Sequence, residues 1–364
     1  MKQNKTILFL SNMASPYQIE NCKYLNEKTS NDYYFIFYLQ RESNRPSYWD
    51  DIPFKPKNIK VLNRPFKISE QIYINFDVLK NLKELNPDIV IVGGYTLFTG
   101  IYAAIWAKLN GKKTILYLER FLPSSNIKRY FKSFILKLVS KLFDQFILAG
   151  NDAYKEYYFI KNKRNIPYLI NLDRYYDSDK KYFKDNKINF LYSGRFSKNQ
   201  NVYSIVEAFI QLSEKYTNIK LILSGYGEEL HKIQSKIKLL NKEAVIEIDN
   251  RYKSWFELPE LYNRADILVA PLNHSGWGFV IEEAMASSLA VISTYETTAA
   301  AEYIIDNYNG FINTSSINDI KNSMEKYILD KELIIKHGKR NFDLKKDVSY
   351  EYMINKYNKA IFED

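Results

Sequence analysis

The chain has 364 residues, 46% of them hydrophobic and 26% charged, with a formal net charge of +10. This is length enough for two ordinary domains, each with its own core, and the composition excludes a disordered chain. The single Cys22 excludes an internal disulfide framework and fits a reducing compartment, while three scattered histidines (His231, His274, His337) leave no zinc-ligand set.

The opening run, MKQNKTILFLSN, is too short in apolar length for a signal peptide and is patterned as a strand. Residues 15–28 then show helical spacing. Ser15 is placed to cap that helix and Pro16 to enter its first turn, with Tyr17 and Gln18 following. YYFIFYL (33–39) and DIVIV (88–92) read as strands, and Gly93, Gly94 and Tyr95 follow the second. Residues 89–107 carry no charge over about the length that spans a bilayer. The glycines, with Thr96 and Thr99, make them a buried strand, a loop and a buried helix instead. KTILYL (113–118) ends at Glu119, the one carboxylate at a buried strand end in this half. As a carboxylate there it is a candidate to orient or deprotonate a hydroxyl; a salt bridge to Arg120 is the equal alternative.

Residues 127–144 are sharply amphipathic. Ile127, Tyr130, Phe131, Phe134, Ile135, Leu138, Val139 and Leu142 share one face, and Lys128, Arg129, Lys132, Lys137 and Lys141 the other. The apolar face is expected to cover a sheet, leaving the lysines to water and to anionic lipid. QFILAG (145–150) is the next strand, followed by Asn151 and Asp152. Residues 172–187 are polar without apolar period and read as a linker. Asp177-Ser178-Asp179 lies there after no strand, which makes it solvated charge and not a metal site.

The theme then repeats in INFLYS, IKLILS, AVIEI, DILVA and LAVIS. Such alternation implies an α/β fold of two Rossmann-like domains with parallel sheets, binding ligands beyond the strands' carboxyl ends. The expected bounds are 1–171, a linker at 172–187, 188–340, and a terminal helical segment at 341–364. The strand INFLYS runs into Gly194-Arg195-Phe196-Ser197-Lys198-Asn199-Gln200-Asn201, where the Arg195 guanidinium can clamp a diphosphate. Gly225-Tyr226-Gly227 permits a tight turn, structural or ligand-facing. Residues 275–292, SGWGFVIEEAMASSLAVI, place a glycine loop and a helix start carrying Glu282 and Glu283 after the strand DILVAP. Backbone N–H groups there suit phosphates, and a carboxylate further in suits hydroxyls, a pairing that fits a nucleotide sugar.

That stretch resembles the donor-site signature of the retaining GT-B glycosyltransferases of family four, E-G-F-G-L-x-x-x-E-A-M-A-x-G-x-P-V-I. Gly276, Gly278, Phe279, Glu283, Ala284, Met285, Ala286, Val291 and Ile292 match it, and Trp277 matches a common variant. Ser275, Ser288 and Ala290 depart from it. The resemblance implies a GT-B fold whose last helix crosses back to the first domain. It implies that Arg195 and the 276–279 backbone hold the diphosphate, that Glu283 holds the ribose, and that Ser275 and Trp277 border the sugar. Gln200 stands where the family has lysine, and Lys198 is a candidate substitute. Gly225, Tyr226 and Gly227 resemble the turn near the base. Ser15, Pro16, Tyr17 and Gln18 resemble an acceptor-side S-P-Y-R stretch, with Tyr95 beside them.

The implied activity is metal-independent, retaining transfer from a UDP- or GDP-sugar to a hydroxyl of a lipid-linked glycan, in capsule, lipopolysaccharide or other surface polysaccharide assembly. It needs no cofactor and no nucleic-acid partner, and it implies a cytoplasmic protein with peripheral contact at the inner face of the plasma membrane. Two other readings stay open. One is a sugar-nucleotide epimerase of the same architecture, which the scarcity of histidine disfavours. The other is a degenerate partner that binds without turnover, which Ser275 and Gln200 support.

Overall fold

The computed structural model describes residues 4–40, 56–62, 66–67, 73–94, 98–121, 126–176, 179–252, 254–273, 276–344 and 348–362. The chain divides into two units, Met1–Asn171 with Met353–Asp364, and Leu172–Tyr352.

In the first unit the apolar runs become β1 (Thr6–Met13), β2 (Asp32–Leu39) and β3 (Ile59–Val61). A short antiparallel pair follows, β4 (Phe66–Lys67) with β5 (Tyr73–Ile74), and then β6 (Ile89–Gly93), β7 (Lys113–Leu118), β8 (Gln145–Leu148) and β9 (Lys163–Asn165). The helices are α1 (Pro16–Lys28), α2 (Val78–Leu85), α3 (Phe98–Leu109), α4 (Asn126–Val139) and α5 (Gly150–Glu156). Seven strands form one parallel sheet in the order β3-β2-β1-β6-β7-β8-β9, so the winding reverses between β1 and β6. Side chains alternate across this sheet. Leu8, Leu10, Val90, Val92 and Leu116 face Ala103, Ala104 and Ala107 of α3 and Leu136 of α4. On the other face Phe9 stacks on Phe35 at 4.7 Å.

The second unit contains β10 (Ile188–Arg195), β11 (Ile219–Tyr226), β12 (Ile246–Ile248), β13 (Ile267–Ala270), β14 (Ala290–Ser293) and β15 (Gly310–Ile312). They form a parallel sheet in the order β12-β11-β10-β13-β14-β15, reversing between β10 and β13. Its helices are α6 (Val202–Ser213), α7 (Leu230–Leu239), α8 (Leu258–Asn263), α9 (Val280–Ala286), α10 (Thr298–Tyr303), α11 (Ile317–Leu329) and α12 (Lys331–Asp343). The expected fold class holds: two parallel sheets, each flanked by helices, in the two-Rossmann GT-B arrangement.

The last helix, α13 (Tyr350–Phe362), packs largely on the first unit's sheet. Tyr357 lies 6.1 Å from the Phe9 ring, Asn358 accepts a hydrogen bond from the Tyr33 hydroxyl at 2.8 Å, and Lys113 donates to the Ile361 carbonyl at 2.9 Å.

Three expectations meet a different outcome. Residues 172–187 lie in the second unit, and their 3-10 turn Asp173–Tyr175 buries Tyr175. α3 is buried on one face only. Gly100 sits so close to the sheet that a Cβ there would meet Val92 at 2.5 Å, and this small-residue face leaves Phe98, Tyr102, Ile105 and Leu109 exposed. The apolar face of α4 is not covered by the sheet either. Leu136 is buried and Ile135, Val139 and Leu142 are partly so, but Ile127, Tyr130, Phe131, Phe134 and Leu138 are exposed. Among the described residues no helix is long and apolar enough to cross a membrane.

Candidate active site

In a doubly wound sheet the loops that leave the two strands flanking the reversal diverge, and the gap at their carboxyl ends is the ligand position. In the second unit those loops follow β10 and β13, and they are tied together. The Asn273 N–H donates to the Asn199 carbonyl at 3.0 Å, and Asn201 Nδ2 donates to the Pro271 carbonyl at 3.3 Å. This joins the stretch after Arg195 to the stretch before Gly276. Arg195 is the last residue of β10 and is half-buried. Its carbonyl accepts from the Tyr192 hydroxyl at 2.5 Å, while its guanidinium makes no hydrogen bond or ion pair among the described residues. Lys198 is exposed and Gln200 half-buried on the following turn, and neither side chain has a partner there.

Gly225 and Gly227 close the neighbouring strand end. Gly225 has φ of 149°, and a Cβ on it would meet the Gly194 carbonyl oxygen at 1.7 Å. One on Gly227, at φ 147°, would meet the Phe196 carbonyl oxygen at 2.4 Å. The glycines are therefore required by the protein's own backbone. The turn is held further by Asn250, whose side chain accepts from the Gly225 N–H at 2.9 Å. Tyr226, between them, is half-buried.

Gly276 and Gly278 (φ 90°) lead through Phe279 into α9. Trp277 turns inward. It is 3% exposed, its Nε1 donates to Glu282 Oε2 at 2.6 Å, and its ring meets Tyr303 edge-on at 6.0 Å. Its side chain is thus part of the interior beside α9. Glu282 is fully buried; burial pushes its carboxyl up to about 8, the Trp277 bond opposes this and the neighbouring Glu283 and Glu302 add to it. Glu283 is 2% exposed. Its Oε1 accepts from the Tyr175 hydroxyl at 3.0 Å and its Oε2 from the Tyr262 hydroxyl at 2.5 Å. Burial beside this carboxylate holds the Tyr262 hydroxyl well above its usual range, so it stays a donor. Two tyrosine donors let a carboxylate remain in the interior.

In the first unit the corresponding reversal lies between β1 and β6. Ser15 caps α1, its Oγ accepting from the Gln18 N–H at 3.4 Å, and Pro16 is buried at the helix start. Tyr17 and Gln18 are half-buried. Glu119 follows β7, with its carboxylate hydrogen-bonded to the Tyr168 hydroxyl and its carbonyl to the Tyr157 hydroxyl at 2.7 Å. Burial raises its carboxyl, against the Tyr168 bond and the Arg120 charge. Arg120 itself pairs with Asp152 at 3.4 Å. Ser275, His274 and Tyr95, and Asp177 with Ser178, lie outside the described residues. Among the described residues no group of three or more His, Cys, Asp or Glu is placed to hold a metal ion.

The sequence reading missed Tyr175, Tyr262 and Tyr168 because each acts across long sequence separation on a carboxylate it does not neighbour. It also missed the Trp277–Glu282 bond. That pair is spaced five apart within the signature itself, so a tryptophan N–H and a buried acid were there to be matched.

Residues 174–341 match the family described as glycosyl transferases group 1, a little under half of the chain. An uncharacterized glycosyltransferase of Methanocaldococcus jannaschii is 28% identical over 280 residues, 71% of this chain and 67% of its own. CapM of Staphylococcus aureus, a capsular polysaccharide biosynthesis glycosyltransferase, is 24% identical over 300 residues, 75% of this chain and 77% of its own. Among solved structures, HepE of Anabaena in complex with UDP and glucose superposes with a TM-score of 0.74 at 15% identity, covering 99% of this chain and 100% of that one. The matched family segment spans both loops at the β10/β13 reversal, and with the fold it gives the chain a GT-B architecture related to that of the group 1 glycosyl transferases.

Proposed function

We propose that the protein transfers a sugar, with retention, from a nucleotide diphosphate donor to a hydroxyl of a lipid-linked glycan in surface polysaccharide or lipopolysaccharide assembly, without a metal. The observation that carries this reading is Arg195: a half-buried arginine without counter-charge among the described residues, at the carboxyl end of β10, beside the loop after β13. A retaining transfer develops positive charge on the sugar and negative charge on the departing diphosphate. A fixed cation aimed at that diphosphate is stabilising in proportion to how little water screens it. Lys198 and Gln200 flank it from the next turn, and the 276–279 backbone supplies further donors.

In this reading Glu283 takes the ribose hydroxyls by exchange: the hydroxyl of Tyr175 gives way to one from the donor, while Tyr262 keeps its bond. Tyr226, with its two glycines, borders the base, and Ser275 the sugar. Glu119, Ser15, Pro16, Tyr17, Gln18 and Tyr95 serve the acceptor, Glu119 by accepting the hydroxyl's proton. Its raised affinity for protons fits that role. The names of the relatives support the setting, since one acts in capsular polysaccharide biosynthesis and a structural neighbour holds UDP and glucose. A cytoplasmic location at an anionic membrane follows from a lipid-linked acceptor.

The test is a melting-temperature screen against UDP, GDP and their sugars, followed by nucleotide release from any donor that binds. A rise with one nucleotide class that vanishes in Arg195→Ala is expected. Binding without release under any acceptor would leave a glycan-binding partner in place of the enzyme. No rise with any nucleotide would remove the reading.

A further inference from the structure

α3 and α4 invert the usual distribution of side-chain size. Helices that cover a sheet normally turn their large apolar residues inward. α3 instead buries Gly100, Ala103, Ala104 and Ala107 and exposes Phe98, Tyr102, Ile105 and Leu109, the last 82% exposed. These four recur at helical spacing along one outer stripe. α4 exposes a second stripe: Ile127 at 83%, Tyr130 at 78% and Phe131 at 62%, continued by Phe134 and Leu138. Both helices pack on the same face of the first sheet, in one core cluster, and the bridge from Lys108 at the end of α3 to Asp144 just beyond α4 holds their ends near each other. Single exposed apolar residues need no explanation; two adjacent helical stripes rich in aromatics do.

The charge around the stripes selects the occupant. Neither α3 nor α4 contains an acidic residue. Arg129 is paired with Glu156 at 2.5 Å, but Lys128, Lys132 and Lys141 have no ion-pair partner among the described residues. Apolar and aromatic side chains fringed by unpaired lysines complement a surface that is apolar within and anionic at its rim. A protein partner core of the same kind would be depleted in lysine.

We propose that the outer faces of α3 and α4 form a docking surface for an anionic lipid bilayer, lying on the membrane with Phe131, Phe134 and Leu109 in the acyl boundary and the lysines among the headgroups. This rests on the transferase reading only in the choice of a lipid-linked acceptor; the surface itself stands on exposure and charge.

The test is flotation of the full chain with phosphatidylcholine vesicles, with and without phosphatidylglycerol. The variants are Phe131→Ser with Phe134→Ser, and Lys128→Glu with Lys132→Glu and Lys141→Glu. Four of the five positions lie on α4 and Lys141 on the turn just after it, so melting and nucleotide binding report whether the fold is intact. Flotation with the anionic vesicles is expected, weakened by salt. Partitioning should fall about tenfold or more in the paired serine variant and about a hundredfold in the triple reversal, with nucleotide binding unchanged. Flotation that is absent, or indifferent to both variants, overturns the proposal. So does a concentration-dependent dimer that the paired serine variant dissolves, which would assign the surface to a second copy. Transferase activity with a soluble acceptor is read separately, so either idea can fail alone.

Discussion

Both units place an arginine at the carboxyl end of a parallel strand, and the two are treated oppositely. Arg120, just past β7, is matched by Asp152, and the neighbouring Glu119 is matched by the Tyr168 hydroxyl. Arg195, at the end of β10, has no counter-charge among the described residues, although it is half-buried. A cation held partly out of water without a partner weakens the fold unless something else gains from it. The first unit's strand end is electrostatically paired by its own side chains, whereas the second unit's shows no anion among the described residues.

The largest test of that contrast is Arg195→Ala against Arg120→Ala. Loss of a charge-assisted clamp should remove about 1.5–3 kcal/mol of diphosphate binding, roughly one to two decades in Kd by calorimetry. Arg120→Ala should leave Kd unchanged and lower only the melting temperature. Equal effects of the two would erase the distinction.

Removing a hydroxyl separates the two carboxylates next. Tyr168→Phe strips a donor from Glu119 and should cost about 1–3 kcal/mol in denaturant unfolding, with nucleotide affinity untouched. Tyr175→Phe should also destabilise, but it removes a competing donor from Glu283 and so should tighten nucleotide binding by about threefold to tenfold. Weaker binding in Tyr175→Phe would contradict the exchange proposed for the ribose.

Smaller effects follow from pH. The folded state holds the Glu282 proton up to about pH 8, against 4.5 for a free carboxyl, so Glu282 favours folding fully below pH 4.5. That contribution is lost as pH rises through about 8. Glu282→Gln should flatten the fall in melting temperature across this window. A slope as steep as wild type would place the titration elsewhere. His337 acts in the opposite direction. Fully buried against Tyr327, with its affinity for protons lowered to about 4 by burial, it costs stability as pH falls from 6.5 toward 4. His337→Gln should remove that acid-side loss while leaving nucleotide binding alone.

The longer strands were legible because they are short apolar runs, and the parallel pairing followed from the helices between them; the short edge strand β9, whose sequence is KRN, has no apolar pattern to read. Helix α1 was legible from Ser15 and Pro16, whose effects are local. The segment 172–187 was not, because one buried tyrosine in a polar stretch leaves no period to detect. Trp277 was expected beside a sugar on the strength of its loop. Its indole instead donates to the buried Glu282, and no linear pattern announces which way a loop tryptophan turns.

Helices α4 and α6 show where the boundary lies. Both are amphipathic in sequence, yet α6 buries Val202, Ile205, Val206, Phe209 and Leu212, while α4 leaves most of its apolar stripe in water. Amphipathicity records only that two faces differ; whether the apolar face is covered depends on the width of sheet available and on the bulk of neighbouring helices. The sequence by itself determined the two parallel sheets and the strand-loop-helix order that sets Arg195 and Glu283 at one end of the second, since these rest on period, turn residues and spacing along the chain. Only the tertiary structure decided that Arg195 lacks a counter-charge among the described residues, that tyrosines from remote segments hold Glu283, and that the large apolar side chains of α3 and α4 lie mostly outward. Those outcomes depend on which side chains meet across long separations, and local interactions carry no record of that.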